Sequence, residues 1–132
     1  MKEQEIIMEA EASGFIHLRP DTIRIIKENE GNQDSLIKRA ETAGIRAAGN
    51  TGSFIPLVQP ITLTGVEVRA YVYPNGVEIR CIVRSAGQMG LETEALTAVS
   101  VALLTLFENC KATDSSAAIA EIRITRKTHP ER

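Results

Sequence analysis

Cysteine, histidine and tryptophan are scarce in this chain of 132 residues, which has two Cys, two His and no Trp. Two cysteines cannot build the several bridges of a disulfide scaffold. Two Cys and two His, none of them at ligand spacing, do not make a four-ligand structural zinc site. An excess of either charge is also missing: 15 basic residues face 17 acidic ones, for a formal net charge of −2. A nearly neutral chain has no general field to attract nucleic acid or anionic lipid, so neither is an expected partner. Any anionic ligand must be held by a local cluster. Walker-type and dinucleotide glycine loops are absent. The longest apolar run, Val99 to Phe107, is broken by Ser100 and Thr105 and falls well short of the roughly 20 residues that span a bilayer. Met1 to Glu11 is acidic and lacks the apolar core of a signal peptide. Cys81 sits in a strand-like run and Cys110 in a helix-like one, and both read as free, buried small hydrophobes. These features point to a cytoplasmic protein.

What is present is an ordinary globular mixture, 43% hydrophobic and 24% charged. Its length fits one domain over residues 1–132. Gly14 to Leu18 reads as a strand. Pro20 suits the first turn of a short helix carrying Ile23 and Ile26, with Gly31 as a stop. Asp34 or Ser35 caps a second helix, where Ala43, Gly44, Ala47 and Ala48 permit close packing. Gly49 to Gln59 is loop-like, and Pro56 and Pro60 restrict the backbone around Leu57-Val58-Gln59. Val66 to Val72 and Val77 to Val83 alternate apolar and polar residues around Pro74-Asn75-Gly76. The Asn-Gly pair between such runs signals a β-hairpin. Glu94 to Ala112 has the three- and four-residue spacing of an amphipathic core helix, and Ala120 to Arg126 reads as a last strand. Strand, two helices, hairpin, long helix, strand predicts an α+β sandwich, a mostly antiparallel sheet with helices on one face. Its open face and edges favour oligomerisation.

Little chemistry is available to such a composition. His17 and His129 are remote from each other and from both Cys. Carboxylates and lysines remain. Glu92 and Glu94 flank Thr93 just before the long helix, and in an extended segment residues two apart face the same side, so the two carboxylates would converge. Glu108 and Lys111 are three apart on the helix and share a face. Such a pair is a solvated surface ion pair, or, held in a cleft, a general acid or base beside an anion clamp.

Two stretches resemble one known family. Thr42-Ala43-Gly44-Ile45-Arg46-Ala47-Ala48, leading into Phe54-Ile55-Pro56-Leu57-Val58-Gln59-Pro60-Ile61, is similar to its helix and loop. Gly90-Leu91-Glu92-Thr93-Glu94-Ala95-Leu96-Thr97-Ala98-Val99-Ser100-Val101-Ala102-Leu103-Leu104-Thr105, through Phe107-Glu108-Asn109-Cys110-Lys111-Ala112, resembles its longest signature. The family is the cyclic pyranopterin monophosphate synthase family, the C protein of molybdenum cofactor biosynthesis. The likeness runs from about Ala10 to Lys127. It implies a ferredoxin-like subunit, a homo-oligomer (a dimer or a trimer of dimers) and sites at subunit interfaces. It implies a lyase that turns 3′,8-cyclo-7,8-dihydro-GTP into cyclic pyranopterin monophosphate and pyrophosphate, with a cyclised guanine nucleotide or pterin-type molecule as partner. Neither a cofactor nor a metal is called for. By position, the resemblance puts catalysis on Glu108 and Lys111, and substrate contacts on Leu57, Val58, Gln59, Glu92, Thr93, Glu94 and Lys127.

The departures fall at sites of chemistry. The family's Cys-His loop is Val58-Gln59 here, and the Lys after Ala-Ala is Gly49. Its Lys-Gly-Asp segment appears as Asn32-Gln33-Asp34, its Gly- and Lys-rich tail as Thr128-His129-Pro130-Glu131-Arg132, and its catalytic Asp as Glu108. A triphosphate needs several cations around it, and Arg46, Arg84, Arg126 or Lys127 would compensate only by reaching the site. Two expectations result: an active lyase, or a catalytically inactive or altered-function paralogue that keeps fold and oligomer.

Overall fold

Alternation of apolar and polar side chains sets the sheet. The computed structural model describes residues 7–56, 61–87 and 90–128. Four strands, β1 (Ile7–His17), β2 (Gly65–Tyr73), β3 (Gly76–Ala86) and β4 (Ala118–Lys127), form one sheet in the order β2-β3-β1-β4. Every neighbouring pair is antiparallel. Among the described residues there are also four helices: α1 (Pro20–Glu28), α2 (Leu36–Gly49), the short α3 (Thr51–Phe54) and α4 (Glu92–Cys110). The order β1, helices, β2, β3, α4, β4 with β1 and β3 central is the ferredoxin-like α+β arrangement, as expected. β1 starts well before Gly14. Glu9 and Glu11 alternate with buried Ala10 and Ala12, a period of two in small residues.

The central strands turn Ala12, Ile16, Val77, Ile79, Cys81 and Val83 into the core, all inaccessible to solvent. α4 lies across β1, β3 and β4, with α2 beside it and over β2. Val99, Leu103 and Leu106 of α4 are fully buried, each contributing about 1.5–3 kcal/mol. Local signals set the helix ends. Pro20 opens α1, and the Ser35 hydroxyl, rather than Asp34, caps α2 by accepting the Lys38 N–H at 3.2 Å. α1 stops at Glu28, before Gly31, because the Asn29 N–H turns back to the Ile26 carbonyl and the Glu30 N–H to that of Lys27.

The hairpin forms as expected, with a different turn. Tyr73 pairs with Gly76, so Pro74 and Asn75 are the central residues. Neither Asn75 nor Gly76 takes a positive φ. Proline's fixed φ suits the first central position. Gly76 is required by space instead: a Cβ there would collide with the Ile16 carbonyl and the Phe15 ring.

The other face of the sheet carries charge. Arg84 of β3 binds Glu67 of β2 at 2.9 Å and Glu9 of β1 at 2.6 Å, while Arg126 of β4 binds Glu9 at 3.2 Å and Glu11 at 3.1 Å. One ladder thus crosses all four strands. The Arg84 guanidinium holds Glu9 below the usual carboxylate range.

Small residues let α2 and α4 approach. A Cβ on Gly44 would stand 2.9 Å from the Ala98 carbonyl oxygen and 3.3 Å from the Ala102 methyl. Gly44→Ala is therefore expected to lower the unfolding free energy by about 1–3 kcal/mol, read by urea denaturation. An unchanged midpoint would contradict this close approach.

Candidate functional site

The N-terminal end of α4 gathers four of the residues singled out from sequence. Gly90, at φ +81°, turns the chain into the helix, and Glu92 is its first residue. The expected convergence of Glu92 and Glu94 assumed an extended segment. Helical residues two apart point some 200° apart, so the side chains diverge. Glu92 is half-buried, and its Oε2 meets Nζ of Lys127, the last residue of β4, at 3.1 Å. Thr93 is half-buried beside it. Glu94 turns inward and is 3% exposed, and its Oε1 has no hydrogen-bond partner among the described residues. Burial pushes its pKa up, its own backbone N–H pulls it down, and the charge of Glu92 adds to the rise.

A buried carboxylate oxygen with nothing to accept from is costly. Its folded pKa lies above the ordinary 4.5. The native state is therefore favoured while Glu94 is protonated, below about pH 4.5, and that advantage is lost as pH rises through the raised value. Glu94→Gln removes the charge and is expected to melt higher than wild type at pH 7, the gap closing below pH 4.5. Thermal melts at both pH values check it, and a variant that melts lower at pH 7 contradicts it.

The C-terminal end of α4 holds the other pair. Lys111 Nζ lies 3.0 Å from Glu108 Oε1, with side-chain exposures of 51% and 70%. In water such a pair contributes little to stability, so its residues are available for other work. Nearby, Asp114 is 1% exposed. Its Oδ2 accepts the Arg19 N–H at 2.9 Å and the Thr22 hydroxyl at 2.8 Å, and its Oδ1 accepts from Ser116. The Arg19 side chain meets the same carboxylate at 3.5 Å. Arg19, the N-cap of α1, has no side-chain cap bond of its own, and Asp114 holds the start of the helix through the Arg19 N–H and the Thr22 hydroxyl. The clamp ties the end of α4 to the start of α1. Burial raises the Asp114 pKa, but bonds from Ser116, Arg19 and Thr22 outweigh it and hold the carboxyl well below 3.8.

Only Asp114-Ser115-Ser116, an Asx-turn pattern, hints at this clamp along the chain. Its partners lie 92 and 95 residues away. A depressed folded pKa means that stability is present above about pH 3.8 and is lost as pH falls through the lowered value. Asp114→Ala should cost about 3 kcal/mol at pH 7 by stranding these donors. Measured in urea, that difference should shrink toward zero in strong acid; a constant difference at every pH would contradict it.

From Glu94 to Lys111 the helix rises roughly 25 Å. The chain thus brings Glu92, Thr93, Glu94 and Lys127 to one end of α4, and Glu108 and Lys111 to the other. Leu57, Val58, Gln59 and His129 lie outside the described residues. His17 is exposed, edge-on to Phe15 at 4.8 Å. Arg84 and Arg126 are committed to the sheet ladder, while Arg46 is exposed on α2. Cys81 and Cys110 are free and buried, as expected. Burial pushes the Cys81 thiol up to about 12 and raises that of Cys110, which makes both poor nucleophiles. Among the described residues no three His, Cys, Asp or Glu side chains are grouped to hold a metal ion, and no helix is long and apolar enough to cross a membrane.

Residues 1–129 match the family model described as the MoaC family. The chain belongs to the MoaC family. Relatives of this MoaC-family chain carry the name cyclic pyranopterin monophosphate synthase. That of Aquifex aeolicus (strain VF5) is 38% identical over 124 residues, 94% of this chain. The chain spans only about half of that relative, 49% of its length. The synthase of Thermoanaerobacter sp. (strain X514) is 38% identical over 128 residues, 96% of this chain and 81% of the relative. The synthase of Roseiflexus castenholzii is 39% identical over 128 residues, with the same two shares. The resemblance read from residues 42–61 and 90–112 is thereby borne out. So is the expectation that the chain falls within a family of enzymes.

Proposed function

We propose that this chain acts in molybdenum cofactor biosynthesis as a lyase that converts 3′,8-cyclo-7,8-dihydro-GTP to cyclic pyranopterin monophosphate and pyrophosphate, in the cytoplasm. The observation that carries this reading is the match to the family and its named synthases along nearly the whole chain. Glu108 and Lys111 supply the chemistry. The ammonium lies 3.0 Å from the carboxylate and largely in solvent. It offers a proton or a positive charge to a developing oxyanion, while the carboxylate takes a proton. Glu108 replaces a shorter Asp of the family pattern, so its carboxylate reaches about one methylene farther.

At the other end of α4, Glu94 offers a buried acceptor to the N–H groups of a purine or pterin. Such a donor would satisfy Oε1, which has no partner among the described residues. Thr93 flanks that position, Glu92 and Lys127 form its rim, and the family resemblance adds Leu57, Val58 and Gln59 to the substrate contacts. A nucleotide does not reach across the roughly 25 Å between the two ends of α4. The reading therefore needs at least two copies of this single-domain chain, one providing Glu94 and the other Lys111, in a dimer or a trimer of dimers. The loss of the loop Cys-His leaves Val58-Gln59 to position the substrate without a titrating group. No observation favours the alternative of an inactive paralogue.

Purified full-length protein incubated with the cyclised nucleotide should form the pyranopterin and pyrophosphate, read by chromatography. Lys111→Ala should lower kcat by about 100-fold or more with an unchanged melting temperature, since its side chain is exposed. Absence of turnover in wild type, under conditions where the Thermoanaerobacter synthase is active, would overturn the reading.

A further inference from the structure

The exposed side of α2 carries cations that the fold does not use. Arg19, Arg24, Arg80, Arg84, Lys111, Arg126 and Lys127 each take part in an ion pair. Lys38, Arg39 and Arg46 take part in none among the described residues, and all three are exposed. At 100° per residue, Lys38, Thr42, Arg46 and Arg39 fall within about 100° of the helix circumference. They line one groove of about 330 Å³, with Asp34 as its lone carboxylate. Like charges one or two helical turns apart repel, and in a chain of net charge −2 such a cluster stands out. A second cavity of about 350 Å³ shares Ala43 and Arg46 with the groove and continues past Asn50 to Phe54, an exposed aromatic three residues before Leu57.

We infer that this groove is a binding subsite for the polyphosphate group of the substrate, with Lys38, Arg39 and Arg46 as its cations. The inference rests on the lyase reading for the identity of the substrate, and on the groove itself for its anion chemistry. Lys38 to Arg46 spans about 12 Å along the helix, room for a di- or triphosphate with one cation at each end. The guanidinium groups of Arg39 and Arg46 bind phosphate oxygens in pairs, Lys38 adds a point charge, and the Thr42 hydroxyl can donate. Arg46 lines both cavities, so a ligand anchored by its phosphates in the groove has its heterocycle directed toward Phe54. These cations do not stand at the positions of the two family lysines, which are Asn32 and Gly49 here.

The test uses the full-length chain and inorganic triphosphate as the probe. Calorimetry should show saturable binding that weakens as salt rises. Lys38→Gln, Arg39→Gln and Arg46→Gln should each raise the dissociation constant about 3- to 10-fold, the size of a partly exposed charge-assisted contact. The triple variant should bind no triphosphate. Lys27→Gln, a cation of α1 outside the groove, should match wild type, and melting temperatures should all agree. Arg46→Gln should raise KM for the cyclised nucleotide and leave kcat within about twofold. Triphosphate binding that disappears in the triple variant while wild type shows no turnover would remove the lyase and keep the groove. Equal triphosphate affinity in wild type and triple variant, or none in either, overturns the inference. So does a triple variant that changes only the sedimentation coefficient, which would make the groove a contact between copies.

Discussion

The seating of α4 against the sheet and α2 governs the rest of the structure. This helix has partners on most of its circumference: β1, β3 and β4 below and α2 alongside. Such a helix needs small residues where backbones approach and large ones where they part. Ala95, Ala98 and Ala102 are inaccessible to solvent, as are Val99, Leu103 and Leu106. Gly14 admits the second set, since a Cβ there would stand 2.7 Å from Leu103 Cδ1 and 2.9 Å from Val99 Cγ1. Gly44 admits the first. With both faces fixed, α4 behaves as a rod whose ends are set by the sheet. Lys127 of β4 meets Glu92 at one end, and Asp114 fastens the other to α1.

Charges in this fold fall into three groups, and the grouping separates structure from chemistry. The sheet ladder and the Asp114 clamp are satisfied by partners from distant parts of the chain, so they specify how elements meet. Glu108 and Lys111 satisfy each other at the surface, where the energy at stake is small and the pair can open to a ligand. Oε1 of Glu94 has no hydrogen-bond partner, and the α2 cations no ion pair, among the described residues. A buried acceptor without a donor and three cations beside a single carboxylate both raise the free energy of the empty protein, and both fall in energy when a ligand of complementary chemistry arrives. A heterocycle with N–H donors and a polyphosphate chain are such complements, and one nucleotide carries both.

Local patterns made most of the fold legible. Period-two alternation found the hairpin and the last strand, and three-and-four spacing found α4. Cap and proline signals placed the starts of α1 and α2. Legibility failed where the deciding contact was distant. The turn at Pro74-Asn75 differs from an Asn-Gly turn because Ile16 and Phe15, on another strand, occupy the space beside Gly76. The Glu92–Glu94 segment read as extended because α4 begins on a leucine with no side-chain cap, so no residue marked its start. Asp114 was invisible for a related reason, since a carboxylate in a polar turn looks the same whether it faces water or the start of α1. The site residues came from the resemblance, because a Glu and a Lys three apart on a helix occur on many surfaces.

The scarcity of histidine and cysteine bears on how such a chain would still turn over a triphosphate. A loop histidine supplies a group that titrates near neutrality, and Val58-Gln59 supplies none. If the loop only positions its ligand, proton transfer falls on Lys111 and Glu108, three residues apart and joined at 3.0 Å. Phosphate binding has no such need for one particular residue, because it depends on cation number and reach more than on identity. On the family resemblance, lysines expected at 49 and 32 can thus be offset by cations elsewhere, provided their side chains line one groove. Lys38, Arg39 and Arg46 meet that condition. On the proposed reading the two departures differ in kind: one would leave the chemistry to a single pair, and the other would move the charge to α2.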